Sequence, residues 1–179
     1  ESKRAIAQVA ASLVPDKAKV IIDFGTTAFC VAEALANHNG LMIITSSLQA
    51  ANFLAGRNGN EVVLMGGRLH ASEGATLGRD ATQILENYYV DFSFVGAGAI
   101  SHHPLLMDFS REAAELRALM LTQANNSVVL ADHTKFNRTA AHRVANFEQA
   151  AFLITDRKLE ASTTQTLRSF EGEILIADR

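Results

Sequence analysis

Apolar residues recur along this chain in two alternating rhythms, and the alternation predicts the fold. Ile6, Val9, Ala10 and Leu13 stand at helical spacing, and Pro15 ends that helix. Short apolar runs at 20–22, 41–44, 61–64, 92–95, 127–130, 152–154 and 173–176 read as buried strands. Segments 27–37, 48–55, 78–88, 112–123 and 163–167 read as helices, the first with Phe29, Val31, Ala32 and Leu35 on one side and Gly40 beyond its end. Residues 99–111 read as a mobile loop carrying His102 and His103. Strands alternating with helices predict an α/β, Rossmann-like, mostly parallel sheet with helices on both faces. No repeat or linker divides the chain, so one domain over residues 1–179 is expected.

The polar residues cluster where such a sheet binds ligands, at the carboxyl ends of its strands. The first strand runs into Asp23-Phe24-Gly25-Thr26-Thr27 and then a helix. A strand that turns on glycine into a helix start leaves backbone N–H groups unpaired beside two hydroxyls, a set of donors suited to phosphate. The next strands end in Thr45-Ser46-Ser47, Met65-Gly66-Gly67-Arg68 and Gly96-Ala97-Gly98, and the fifth in Asp132-His133-Thr134-Lys135. Each cluster alone serves a turn or a helix cap. Five on one side of one sheet argue for a binding rim.

Composition narrows the choice of ligand. The 179 residues are 48% hydrophobic and 20% charged, enough for one buried core and too apolar for extended disorder. The net charge of −3 is unlike a domain that grips DNA by itself. No apolar run approaches the roughly 20 residues that span a bilayer. The single Cys30 excludes an internal disulfide and a multi-cysteine metal site, and a cytoplasmic setting is expected. The first turn is not G-x-G-x-x-G and no G-x-x-x-x-G-K-[ST] occurs, which argues against dinucleotide and nucleoside triphosphate sites. Lys135 could meet a phosphate or carboxylate as a point charge. Glu112 either stabilises a helix start or faces ligand hydroxyls, and Asp23 and Asp132 orient hydroxyls or cap turns. His102 and His103 have no partner spacing for a metal, and none is expected.

The motifs, taken in order, carry a resemblance. Lys3-Arg4-Ala5-Ile6-Ala7, Asp23-Phe24-Gly25-Thr26-Thr27, Thr45-Ser46-Ser47, Met65-Gly66-Gly67-Arg68-Leu69, Gly78, Asp91 and Asp132-His133-Thr134-Lys135-Phe136 run from residue 3 to about Asp156. Together they resemble the C-terminal sensor domain of the DeoR family of bacterial transcription repressors. The resemblance implies a fold similar to ribose-5-phosphate isomerase, glucosamine-phosphate deaminase and the CoA transferases. It implies a phosphorylated sugar or polyol as effector, homo-oligomerisation as dimer or tetramer, and no catalytic role or cofactor. DNA would be contacted only through an N-terminal winged helix-turn-helix. The start on Glu1 rather than methionine, within a helical pattern, leads to the expectation that this domain has been removed. Gly25, Thr26 and Thr27 would hold the phosphate with help from Lys135. Thr45, Ser46, Gly66, Gly67 and Glu112 would line the rest, and Asp23, Ser47, Arg68, Gly96, Gly98 and Asp132 complete the expected rim.

Leu105-Leu106-Met107-Asp108-Phe109 is similar to the loop of glycerol-3-phosphate-responsive members. Two departures stand out. Ser46 replaces the family's usual asparagine and lacks an amide's reach and donor pair. Gly96-Ala97-Gly98-Ala99-Ile100 also differs from the commoner pattern, so the effector could differ from the best-known ones. The alternatives are a phosphosugar aldose–ketose isomerase, with Glu112 as base and Lys135 beside an enediolate, and an interaction domain without ligand.

Overall fold

A computed structural model describes residues 1–177. In chain order the elements are α1 (Ser2–Ser12), β1 (Lys19–Ile22), α2 (Thr26–Ala34), β2 (Met42–Thr45), α3 (Leu48–Leu54), β3 (Glu61–Leu64), β4 (Arg68–His70), β5 (Ala75–Leu77), α4 (Arg79–Leu85) and β6 (Val90–Gly96). The second half holds β7 (Ala99–Ile100), β8 (Leu106–Asp108), α5 (Arg111–Met120), β9 (Ala124–Leu130), β10 (His142–Arg143), β11 (Phe152–Thr155), α6 (Ala161–Thr166) and β12 (Glu173–Ile176).

Seven strands form one parallel sheet in the order β12-β11-β9-β6-β1-β2-β3. Successive strand residues point to opposite faces, and each face has its own core. Val20, Ile22, Ile43, Phe94, Val128 and Leu130 join the apolar sides of α1, α2 and α3. Ile21, Ile44, Val95, Val129 and Leu153 join α4 and α5 on the other face. Burial on both faces is why the strands read as continuous apolar runs. Each fully buried Ile or Phe contributes roughly 1.5–3 kcal/mol.

Two small antiparallel sheets depart from the expected pattern. Residues 99–111, expected as a mobile loop, contain β7 and β8, which pair with each other, and β8 pairs with β10 on its other side. These strands are only two or three residues long, too short for their alternation to stand out in the sequence. Gly98 lets β8 pass close by: a side-chain carbon there would lie 2.7 Å from the Met107 carbonyl oxygen. The second departure is the β4–β5 hairpin, with its turn at 71–74. It folds over the ends of β2 and β3: the Thr76 N–H donates to the Ser46 carbonyl at 3.0 Å, and the Leu48 N–H to the Gly74 carbonyl at 3.0 Å.

Candidate functional site

The strand order reverses direction at β1. The chain moves outward from β1 through β2 to β3, then returns to place β6 on the other side of β1. Loops leaving β1 and β6 therefore diverge and open a crevice at the carboxyl end of the sheet, where ligands bind in open α/β folds. A cavity of about 640 Å³ occupies this crevice, within the range of small-molecule sites.

One wall is the β1–α2 turn. Gly25 has φ +91° and ψ 171°, a conformation that suits glycine, and a Cβ there would meet open space. It caps α2 without a side chain that could accept from the first-turn amides. Thr26 and Thr27 stand in that turn and line the cavity. Gly96-Ala97-Gly98 at the end of β6 and Lys135 after β9 line the same cavity. Ser47 lines the cavity beside them and also caps α3, accepting from the Ala50 N–H at 3.2 Å. The hairpin turn adds His70, Ser72, Glu73 and Gly74, and Phe109 stands 65% exposed at the mouth.

The expected rim is thus partly brought together and partly dispersed. Gly25, Thr26, Thr27, Ser47, Gly96, Gly98 and Lys135 share the cavity. Thr45 and Ser46 are fully buried behind it, with the Thr45 hydroxyl accepting from the Ser47 N–H at 3.1 Å. Gly66, Gly67 and Arg68 lie outside the lining, where the chain enters the hairpin. Asp132 folds back on its own 3-10 turn, accepting from the Thr134 N–H at 2.9 Å. Glu112 is about half exposed, outside the lining, and pairs with His70 Nε2 at 2.9 Å.

Asp23 has a structural position that its sequence neighbours did not disclose. It is wholly buried and accepts from the Phe24 and Gly96 N–H groups, each at 2.8 Å, which ties the ends of β1 and β6 together. Its other partner is Arg117 of α5, whose Nε donates to Asp23 Oδ2 at 2.7 Å. Arg117 also binds Asp108 at the end of β8 and stacks over the Phe24 ring, 4.5 Å from guanidinium carbon to centroid. Burial pushes the Asp23 carboxyl above its ordinary range, against the pull of Arg117 and the two backbone donors. Arg117 itself lines the cavity. Its clue in the sequence is placement: it shares the buried side of α5 with Ala113, Ala114, Leu116 and Met120, a place where arginine needs partners.

Lys3 is the second residue that local sequence did not disclose. It lines the cavity from the start of α1, and its Nζ donates to Thr26 Oγ1 at 2.5 Å across 23 residues of chain.

Beside the Lys135 turn, Asp156 accepts from the His133 N–H at 2.7 Å and lies 2.8 Å from His133 Nδ1. Burial pushes this carboxyl up, but hydrogen bonds from the Ser2 side chain and from His133 outweigh it and bring the pKa down to about 2. A carboxyl lowered in the folded state stabilises above its unfolded value and loses that contribution as pH falls through the folded one. Asp156→Asn should therefore cost about 1–2 kcal/mol at pH 7. The gap to wild type should close between about pH 4 and pH 2 in urea unfolding; a gap that does not change with pH would assign the cost to packing.

Among the described residues no group of three or more His, Cys, Asp or Glu could hold a metal ion. No described helix is long and apolar enough to cross a membrane.

Comparison with known proteins places this geometry. In solved structures the fold is similar to ribose 5-phosphate isomerase A of Methanocaldococcus jannaschii, with a TM-score of 0.53 and 22% identity over 75% of this chain and 53% of that one. At that identity the likeness concerns the fold alone. The chain is 35% identical to the HTH-type transcriptional repressor CsqR of Escherichia coli, over 98% of this chain and 67% of that protein. It is 31% identical to the glycerol-3-phosphate regulon repressor of Haemophilus influenzae, over 86% of this chain and 60% of that protein. The chain thus spans about two thirds of the length of the curated relatives it matches. The family model described as the DeoR C terminal sensor domain matches residues 1–157. With that match over most of its length, and this likeness to a repressor across nearly all of it, the chain belongs to the DeoR C-terminal sensor domain family.

Proposed function

We propose that this domain senses a phosphorylated sugar or polyol, and that the ligand changes the DNA affinity of a repressor. The observation that carries the reading is the cavity wall at Gly25-Thr26-Thr27: a helix start without a side-chain cap and two hydroxyls, in a cavity that Lys135 also lines. The phosphoryl group sits on that turn, and the rest of the ligand extends toward Ser47, Gly96, Gly98 and the hairpin turn. The relatives named as repressors of a glycerol-3-phosphate regulon support a small phosphorylated polyol among the candidates. DNA is bound by a helix-turn-helix that precedes this domain in the whole protein, which works as a cytoplasmic homo-oligomer. Ligand and operator are coupled because the ligand prefers one of two states of the assembly.

Thermal unfolding against glycerol 3-phosphate, glucose 6-phosphate and ribose 5-phosphate tests this. A ligand at 100 times its Kd stabilises by about 2.7 kcal/mol, which for a domain of this size raises Tm by roughly 5–10 °C. The unphosphorylated parents should give no shift. No shift with any phosphoester at millimolar concentration would remove the sensor reading.

The fold likeness to an isomerase keeps a second reading in view. Glu112, its expected base, is paired with His70 outside the lining, which favours binding without turnover. Isomerisation of ribose 5-phosphate in a coupled assay, abolished by Glu112→Gln, would reverse that preference.

A further inference from the structure

We propose that Lys3 is a ligand-contacting residue and that through it α1 registers whether the cavity is filled. The inference rests on the phosphate reading of the cavity and adds to it the element that responds. It begins from charge. Four basic side chains line the cavity: Lys3, His70, Arg117 and Lys135. Arg117 is held between Asp23 and Asp108, and His70 by Glu112. Lys3 and Lys135 have no carboxylate at ion-pair distance among the described residues. Glu73 and the Asp108 already bound to Arg117 are the acids in the lining. A phosphate dianion at Thr26 therefore lies in a cavity lined by two ammonium groups without a carboxylate partner among the described residues, Lys3 at the Thr26 hydroxyl and Lys135.

Geometry then assigns Lys3 a specific part. A threonine hydroxyl has one hydrogen to give and two lone pairs to receive. Thr26 Oγ1 receives from Lys3, so its own hydrogen is directed to another acceptor. A phosphoryl oxygen beside it takes that hydrogen and faces the ammonium as well, and a charge-assisted bond is about twice as strong as a neutral one.

Lys3 is also the first-turn side chain that joins α1 to the cavity. The rest of α1 is fixed by Ile6, Ala7, Ala10 and Ala11 in the core beneath α2. Its start is held by side chains: Ser2 to Asp156 after β11, and Lys3 to Thr26 after β1. Filling the cavity strengthens the second of these attachments and leaves the core contacts unchanged. The ordering of the start of α1 thus follows occupancy, and by linkage whatever orders that start alters ligand affinity in return.

The test titrates the 179-residue chain with whichever of glycerol 3-phosphate, glucose 6-phosphate or ribose 5-phosphate binds wild type most tightly. Hydrogen exchange of residues 2–12 is followed with and without that compound. Lys3→Met should raise Kd about tenfold, and Lys3→Arg should restore most of the affinity. Ligand should slow exchange at the start of α1 in wild type and in Lys3→Arg, but not in Lys3→Met. A Kd within twofold of wild type in Lys3→Met, or slowing of α1 that persists in it, would overturn the inference and leave the sensor reading standing. If none of the three compounds binds wild type, the sensor reading fails, and this inference with it. Unfolding of Lys3→Met in urea, expected with the midpoint of wild type, separates lost contact from lost fold.

Discussion

Arg117→Met should lower the unfolding free energy by about 3–5 kcal/mol at pH 7, the cost of leaving buried carboxylates without their counter-ion. That is a large share of the roughly 5–15 kcal/mol that holds a domain together. Two acids depend on this one guanidinium, and Asp23 is shielded from water completely. Asp23 also joins β1 to β6 through the Gly96 N–H, so its destabilisation reaches the floor of the cavity. The pH dependence follows from the sign of the shift. Burial already raises the Asp23 carboxyl, and removing Arg117 takes away the largest opposing influence. An acid raised in the folded state penalises folding while ionised, and the penalty fades as pH falls through the folded pKa. The deficit measured by urea unfolding should therefore shrink from pH 7 to pH 5. A loss under 1 kcal/mol, or one that does not vary with pH, would mean that the charges are not interdependent. Should Arg117→Met not fold, the triple variant Asp23→Asn, Arg117→Met, Asp108→Asn carries the test. With all three charges of the cluster removed, it should recover much of the loss.

Thr26→Glu should weaken the tightest phosphoester by at least about 100-fold in a calorimetric titration. The substitution puts a carboxylate where the proposed phosphate sits, and like charges about 4 Å apart near a protein surface repel by several kcal/mol. Roughly 2.8 kcal/mol suffices for 100-fold. The fold should tolerate it, because Thr26 is exposed and an acid in the first turn of α2 suits the helix dipole. Thr26→Ala, which removes one hydroxyl and adds no charge, should cost only about 10-fold. A phosphoester that binds Thr26→Glu within threefold of wild type would place the phosphate elsewhere in the cavity.

Both substitutions bear on how much of the site can be read from residues in order. The β1–α2 turn is legible because its parts are local: glycine, two hydroxyls and a helix start are neighbours in the chain. The same holds for the seven main strands, whose continuous apolar runs are long enough to stand out, and for the match of ordered motifs to the family. Asp23 lies two residues before Gly25, yet Arg117, 94 positions away, occupies it. Thr45, Ser46, Gly66 and Gly67 are strand ends of the expected kind, but the β4–β5 hairpin lies over them and supplies its own turn to the cavity.

Alone, the sequence determined a parallel α/β sheet with small polar residues at its strand ends, and a first turn of glycine and two hydroxyls at a helix start. Hydrophobic period and turn chemistry are properties of neighbouring residues, so they survive in one dimension. Tertiary structure decided which of those ends share a cavity. It gave Asp23 to Arg117 and Glu112 to His70, and it brought Lys3 from the first turn of the chain to Thr26. Those outcomes depend on how helices and a hairpin pack over the twisted sheet, because a charged side chain is committed by whichever partner reaches it when water is excluded.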